Sequence, residues 1–566
     1  GIPVMGKNYF PSNIQGLPTW YEIRVTRDGH TARSGNVDLM VAVNAQTYAQ
    51  DLADVTPGGY FLYDSTWPRS RQLMRDDVTV IGVPLSRLCN ESFAGARARI
   101  LMKNVCYVGV LAALLDLDLD VIRQLLEETF ASKVKLVESN LQAIELGYNY
   151  ARDNFDCPLP LHVEKMDQTA GHVMIDGNTA AALGCVYAGA TVGAWYPITP
   201  STSLMDAFKV FCHRFRIDPD TGEKNFCIIQ AEDELAAIGM VIGAGWNGAR
   251  AFTPTSGPGI SLMNEFIGFG YFAEVPAVLF DVQRVGPSTG MPTRTQQCDL
   301  TACAYASHGD TRHVLLFPAD PAECFELAVV AFDLAERLQT PVFVLSDLDI
   351  GMNDWMVPEL TWDDNYRPDR GKTLSADELE KLEHFYRYTD VDGDGICARS
   401  YPGVHPTGAY FLRGSGHNAK GQYTEDADEY QDLVDRLSRK WETAKTLVPE
   451  PVIQGSGSKL GIISLGSCDG AVREAVEKLG LKGVGLDYMR LKAFPFPAAV
   501  RQFVDEHEQI FVIEQNRDAQ LRTLLINELE PDIARLIPLL HYNGLPITSH
   551  FIVDAIEENL AKGVAA

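Results

Sequence analysis

From about residue 175 to residue 352, short apolar runs alternate with longer stretches whose apolar positions recur at helical spacing. The short runs predict strands at 195–198, 226–230, 277–282, 314–318 and 342–348, with one more leading into TPTSG. The longer stretches predict helices at 179–189, 203–215, 235–246, 260–273, 295–307 and 321–338. Strands and helices alternating at these lengths predict a parallel sheet covered on both faces. Polar or glycine-rich residues collect where the strands end, and ligands of open α/β sheets bind at such ends.

The rest of the chain divides around this block. Residues 1–152 carry strand-like runs at 21–25, 37–43, 59–63 and 78–83, then helical patterns at 103–115 and 117–130. A polar linker, 153–174, leads into the alternating block of 175–352. Residues 353–455 break the rhythm with charge and turn residues before a charged helix at 426–447. A last domain, 456–566, opens with a strand at 460–465, a helix at 470–479 and a strand at 510–514. At 566 residues several cores are expected, because single cores stop growing well short of that length.

Charge narrows the partners. A net charge of −27 opposes binding to a phosphate backbone or an anionic membrane, so neither nucleic acid nor a membrane is expected. The 11 cysteines are dispersed without a CxxC, which leaves no iron–sulfur or zinc signature. Cys185, Cys227 and Cys324 have apolar neighbours and are expected as buried reduced thiols, in keeping with a cytoplasmic protein. No signal peptide and no apolar run long enough to span a bilayer is read from the sequence.

The segments at the strand ends are YPITPS (196–201), QAEDE (230–234), TSGPG (255–259) and DVQRVGPSTGMPTRTQQ (281–297). Singly they are common turn signals. In this order they resemble the aminopyrimidine-binding domain of the 2-oxoacid:ferredoxin oxidoreductases, nearest to the fused γ/α chain of the 2-oxoglutarate enzymes. HTARSGNVDLMVAVN and ADVTPGGYFLYDS resemble the family's γ domain, and MRLKAFPFP with EQN resembles a transketolase C-terminal-like domain. The fold class implied is α/β and multi-domain: a parallel-sheet thiamine-enzyme pyrimidine-binding domain plus a γ-like domain and a transketolase C-terminal-like domain. The γ domain of the family opens with a glycine-rich strand and loop, whereas this sequence begins at GIPVMGKNYFPSN, so residues upstream are expected to have been left out. The γ-like part is read chiefly as an architectural and docking module, with coenzyme A handling as the other option.

Thiamine chemistry needs a carboxyl group against N1′ of the aminopyrimidine. Glu232, which ends the apolar strand FCIIQ, matches the family's glutamate, and burial there is expected to raise its pKa. Glu234 is the alternative, and the bland reading is that Glu232, Asp233 and Glu234 only supply acid to a helix first turn. Tyr196, Pro197, Ile198, Ser256, Gly257 and Pro258 are expected to line the cofactor. Thr199, fixed between two prolines, and Arg294 and Arg284 are the substrate-binding candidates, Arg294 resembling the family's substrate-binding arginine. Against these stand an N-cap by Ser201 or Thr202 and an ordinary surface salt bridge.

DVDGDG (390–395) offers two decoys. Its GDG followed by Asn418 imitates a magnesium–diphosphate motif, but no apolar strand precedes it and no helix follows, so that reading is rejected. Asp390, Asp392 and Asp394 also begin a calcium-type loop whose twelfth position is Tyr401 in place of glutamate, leaving a partial cation site against a solvated acidic turn. With no diphosphate motif and no cluster ligands, the resemblance implies one subunit of an (αβ)2 complex. The partner β subunit would supply Mg2+ and a [4Fe–4S] cluster, with thiamine diphosphate shared between the two. The reaction implied is oxidative decarboxylation of a small-molecule 2-oxoacid, most readily 2-oxoglutarate, with coenzyme A and ferredoxin. Pyruvate or branched-chain 2-oxoacids are the alternative substrates, and a non-catalytic scaffold is the reading outside enzymes.

Overall fold

The computed structural model describes residues 1–12, 16–67, 69, 73–455 and 457–564. It divides the chain into two units, one of Gly1–Ile2 with Ser34–Ala170 and one of Pro3–Arg33 with Gly171–Ala566. The expected first domain, 1–152, is therefore not one body. Its early residues form strands Val4–Tyr9 and Trp20–Val25, which pair with each other and, through the first, with Trp355–Pro358. Strand His172–Ile175 completes this four-stranded sheet of the large unit. The N-terminal strand escapes a periodicity reading because it buries Lys7, whose Nζ sits 2.5 Å from Asp349, a partner far along the chain.

The small unit has a parallel sheet of Val37–Ala42, Val55–Asp64 and Thr79–Val83, close to three of the expected strands. Helix Ala96–Leu115 is, by length and composition, apolar enough to cross a membrane, which corrects the reading that no such run exists. Its Cys106, Val110 and Leu114 are buried in one core cluster with Ala143 and Ala151 of helix Val134–Asn154.

The large unit is built on a seven-stranded sheet in the order Ala493–Phe494, Val314–Leu316, Pro341–Asp347, Ala277–Gln283, Ala251–Thr255, Val192–Trp195, Cys227–Gln230. Every pair is parallel except the one made by Ala493–Phe494. Strands Ala277–Gln283 and Pro341–Asp347 are buried along their whole length, as central strands covered on both faces must be. The expected helices recur here with small shifts, except that 295–307 shrinks to Leu300–Ala304. The strand expected at 195–198 ends instead at Trp195, which frees YPITPS as a turn.

A second sheet, of Val452–Gln454, Asp487–Leu491, Leu460–Leu465, Gln509–Glu514 and Leu536–Leu540, forms the C-terminal part. One continuous core joins it to the seven-stranded sheet, with Ile463, Met489 and Val512 in the same cluster as Leu279 and Val344. Cys185 and Cys324 are buried as expected, but Cys227 is exposed because its strand lies at the sheet edge.

Candidate active site

The YPITPS turn is held by two side chains from outside it. Asn178, 1% exposed at the start of helix Gly177–Tyr187, donates through Nδ2 to the Pro200 carbonyl and to Ser203 Oγ, both at 2.8 Å. Arg284, just past strand Ala277–Gln283, donates from Nη1 to the Thr199 carbonyl at 2.7 Å. The expected N-cap does not form, because Ser201 and Thr202 both turn their hydroxyls back to the Ile198 carbonyl, at 3.1 and 3.2 Å. Tyr196 and Pro197 are left exposed, with Ile198 and Thr199 half-buried behind them.

QAEDE lies alongside. Trp195 is paired with Gln230, and Ala231 N donates to the Trp195 carbonyl at 2.8 Å, so the two turns leave the sheet together. The burial expected of Glu232 is absent. Glu232 is exposed, and its carboxylate has no partner among the described residues, whereas Glu234 is 6% exposed. Strand Cys227–Gln230 is the outermost strand of its sheet, with no further strand paired beyond it among the described residues. The capping role falls to Asp233, whose Oδ1 accepts from Ala236 N at 2.7 Å, which leaves Glu232 free of the helix.

The glycines of TSGPG are needed by the protein itself. A Cβ on Gly257 would stand 2.7 Å and 2.8 Å from the two carboxylate oxygens of Asp299, and one on Gly259 would meet Thr255 Oγ1 at 2.0 Å. Both glycines are required by packing from behind. Ser256, fully buried at the N-cap, has an Oγ with no protein partner.

Behind that turn lies a carboxyl pair that sequence reasoning missed. Asp281 is fully buried with Asp299 half-buried beside it, and Asp281 Oδ1 and Asp299 Oδ2 accept no hydrogen bond from any other described residue. Burial pushes both carboxyls up, and the hydrogen bond between them raises Asp281 further while lowering Asp299. Cys303 donates its thiol to Asp281 Oδ2 at 3.6 Å, and Asp299 N is fixed by Gln283 Oε1 at 3.0 Å. The Arg284 guanidinium pulls Asp299 back down, though burial lowers the arginine in turn. The pair thus backs Arg284 and the TSGPG turn with one negative charge instead of two.

Comparisons with known proteins fix the family. Residues 183–374 match the family described as pyruvate flavodoxin/ferredoxin oxidoreductase, thiamine diP-bdg, and residues 1–150 match pyruvate ferredoxin/flavodoxin oxidoreductase. The 2-oxoacid:ferredoxin oxidoreductase subunit alpha of Saccharolobus solfataricus is 32% identical, over 100% of this chain and 94% of its own. The chain belongs to the 2-oxoacid:ferredoxin oxidoreductases. It is a thiamine-dependent α subunit of that enzyme class. The 2-oxoglutarate oxidoreductase subunit KorA of Mycobacterium tuberculosis is 29% identical, over 85% of this chain and 75% of its own. A solved 2-oxoglutarate:ferredoxin oxidoreductase from Magnetococcus marinus, with 2-oxoglutarate, coenzyme A and succinyl-CoA bound, superposes with a TM-score of 0.89 at 27% identity. It covers 99% of this chain and 94% of that one.

Within this α subunit the two candidate arginines part company. Arg284 reaches the Thr199 turn, whereas Arg294 Nη1 donates to the carbonyls of Phe10 and Thr293, at 3.0 and 2.8 Å. No hydrogen bond joins Arg294 to the Thr199 turn among the described residues. A few residues on, Gln297 Nε2 donates to Asp347 Oδ2 at 3.1 Å and Ser467 Oγ at 3.2 Å, and Asn516 Nδ2 donates to the Gln297 carbonyl at 3.0 Å. PTRTQQ and EQN therefore meet in one buried polar network, a link no local pattern carries.

Asp390, Asp392 and Asp394 do come together, with candidate ligand atoms within 4.8 Å of one another. Lys372 Nζ already donates to Asp392 at 2.6 Å and Asp394 at 2.7 Å, and Arg439 lies 3.4 Å from Asp390. The chain's own ammonium stands where a cation would draw on the same oxygens. The rejected GDG motif opens no helix, and Asn418 Nδ2 donates to Glu429 at 3.2 Å.

Proposed function

We propose that this α subunit, with a β partner, oxidatively decarboxylates 2-oxoglutarate with coenzyme A. The products are succinyl-CoA, carbon dioxide and two reduced ferredoxins. The observation that carries the substrate is the near full-length likeness to the solved enzyme that holds 2-oxoglutarate, coenzyme A and succinyl-CoA.

Glu232 suits the aminopyrimidine: it is a carboxylate without a partner among the described residues, exposed with Tyr196 and Pro197 at the strand ends. Ile198, Ser256, Gly257 and Pro258 would back the same ring, Ser256 offering its unpartnered hydroxyl. Thiamine diphosphate, when bound, supplies the carbanion that adds to the 2-oxo carbonyl and accepts the electrons left by carbon dioxide. The chain's own share is to hold a proton at the Glu232 carboxyl, to direct Thr199 and to bind substrate carboxylate.

Arg284 is assigned the carboxylate beside the carbonyl, common to all 2-oxoacids, because it is 7% exposed and already anchored to the Thr199 carbonyl. Its planar fork keeps further N–H donors for a bidentate grip. Arg294 is assigned the distal carboxylate that distinguishes 2-oxoglutarate. The exposed edge at Cys227–Gln230 is where a β subunit carrying Mg2+ and a [4Fe–4S] cluster would close over Glu232. The acid cluster at Asp390, Asp392 and Asp394 is read as an acidic turn partly neutralised by Lys372 and Arg439.

The test is reconstitution. The isolated chain should be silent, and addition of the β subunit should restore 2-oxoglutarate-dependent, coenzyme A-dependent ferredoxin reduction, with pyruvate far weaker. Turnover by the isolated chain would overturn the two-subunit site, and preference for pyruvate would overturn the substrate.

A further inference from the structure

Away from the strand ends, residues 387–410 pack against the turn that leads into strand Ala277–Gln283, and three side chains there converge on one small cavity. They are Trp246, at the end of helix Glu234–Trp246, with Arg387 and Arg399. Both arginines are nearly inaccessible, at 1% and 3% exposure.

Their hydrogen bonds within the chain are incomplete. Arg387 Nη2 donates to the Glu274 carbonyl at 2.9 Å, but its Nε and Nη1 meet no acceptor among the described residues. Arg399 Nη2 is shared among Glu336, the Arg370 carbonyl and the Tyr401 hydroxyl, yet its Nε has none. Trp246 Nε1 has none either. The rings of Tyr388 and Tyr410, 4.9 and 5.7 Å from the Arg387 guanidinium carbon, offer π electrons and no in-plane acceptor. Buried N–H groups without acceptors are rare, and here the three residues that carry them all line one cavity.

Charge points the same way. Glu274 also lines the cavity, but both its oxygens are engaged, by Arg436 at 3.1 and 2.5 Å and by Lys440 at 2.8 Å. Arg387, Arg399, Arg436 and Lys440 thus face two carboxylates, Glu274 and Glu336, and the buried cluster carries excess positive charge. A water would bring two hydrogens of its own into a lining that lacks donors' partners, whereas an anion brings only acceptor capacity and charge. The cavity is small, at the lower limit for one compact occupant, which rules out phosphate, carboxylates and nucleotides and requires a monatomic anion to press directly against its donors.

We propose that Trp246, Arg387 and Arg399 form a buried site for one monatomic anion of chloride size, which holds the 387–410 segment against the start of strand Ala277–Gln283. The anion neutralises the cluster and accepts the donors that the chain leaves open. Its binding is linked to folding, since only the folded chain brings the three residues together.

The test uses the full chain. Crystals grown in bromide should show one anomalous peak within hydrogen-bonding distance of Trp246 Nε1, Arg387 and Arg399. In solution, replacing chloride by gluconate at constant ionic strength should lower Tm. Trp246→Phe, which removes one donor and little volume, should raise the half-stabilising chloride concentration roughly tenfold, as expected for one hydrogen bond to an ion. Arg387→Met is the stronger lesion; should it not fold, the Trp246 titration stands alone. No bromide peak at these donors, or a Tm indifferent to chloride in the wild-type chain, would overturn the site.

Discussion

At Arg284 and Arg294 a choice between two guanidiniums becomes a measurement. Arg284→Ala should cut kcat/KM by about 2–5 kcal/mol of lost charge pairing, and for 2-oxoglutarate and pyruvate alike. Arg294→Ala should instead raise KM for 2-oxoglutarate far more than for pyruvate. The ratio of kcat/KM values on two substrates cancels general damage to the fold. Equal losses in Arg294→Ala would remove it from the distal position. At Glu232, replacement by Gln keeps size and one hydrogen bond but no ionisable proton, so kcat should fall roughly 10²–10⁴-fold with cofactor affinity little changed. Glu234→Gln is the contrast: its side chain packs against Gly259 from inside, so it should alter Tm more than kcat. The reverse pattern would exchange the two carboxylates.

Among elements, strand Ala277–Gln283 and the turn at Asp299 carry the carboxyl pair, and its titration sets a sign. Both carboxyls are raised on folding, so their contribution is full below the ordinary aspartate range and is lost as pH rises through the folded values. Asp281→Asn removes that penalty, so the variant should gain Tm relative to wild type at pH 8 and lose that advantage near pH 4. An offset that does not vary with pH would mean that the pair shares no proton. The same elements show how far a sequence can be read. Strands 277–282 and 342–348 were legible because central parallel strands are near-continuous apolar runs. YPITPS, QAEDE and TSGPG were legible as an ordered set, and the structure keeps them at one end of one sheet. The exposure of Glu232 was not legible, since it depends on which strand is outermost and not on FCIIQ. Nor was the role of the TSGPG glycines, whose crowding comes from Asp299 and Thr255. Asn178 stood in a helix start with no motif around it, and only the Pro200 carbonyl shows what it does.

For the molecule as a whole, the ion cluster at Glu274 ties residues 387–440 to the main sheet. Burial opposes ionisation of Glu274, but Arg436, Lys440 and Arg387 overcome it and hold the carboxyl well below the ordinary glutamate range. Its contribution is therefore complete above that range and fades only as pH falls through it toward the folded value. Glu274→Gln leaves two buried cations short of their partner and should cost about 3–5 kcal/mol, read as a large fall in Tm at pH 7. A change within error would show that the cluster rearranges around the amide.

The division of the chain has a consequence for how it comes apart. Gly1–Ile2 belong to the small unit and Pro3–Arg33 to the large one, although the bulk of the small unit follows, so beyond Pro3 the backbone passes from one body to the other at residues 33–34 and again at 170–171. A single cut at the second crossing yields two peptides but not two particles. The N-terminal fragment would still have its strands Val4–Tyr9 and Trp20–Val25 stitched into the sheet with Trp355–Pro358, and Arg24 clasped to Glu474 at 2.8 and 3.0 Å. Limited proteolysis there should give two bands under denaturing conditions and a single species in gel filtration. By the same logic, the halves expressed from separate reading frames should complement each other as a split protein, each half carrying a raw sheet edge until the other arrives.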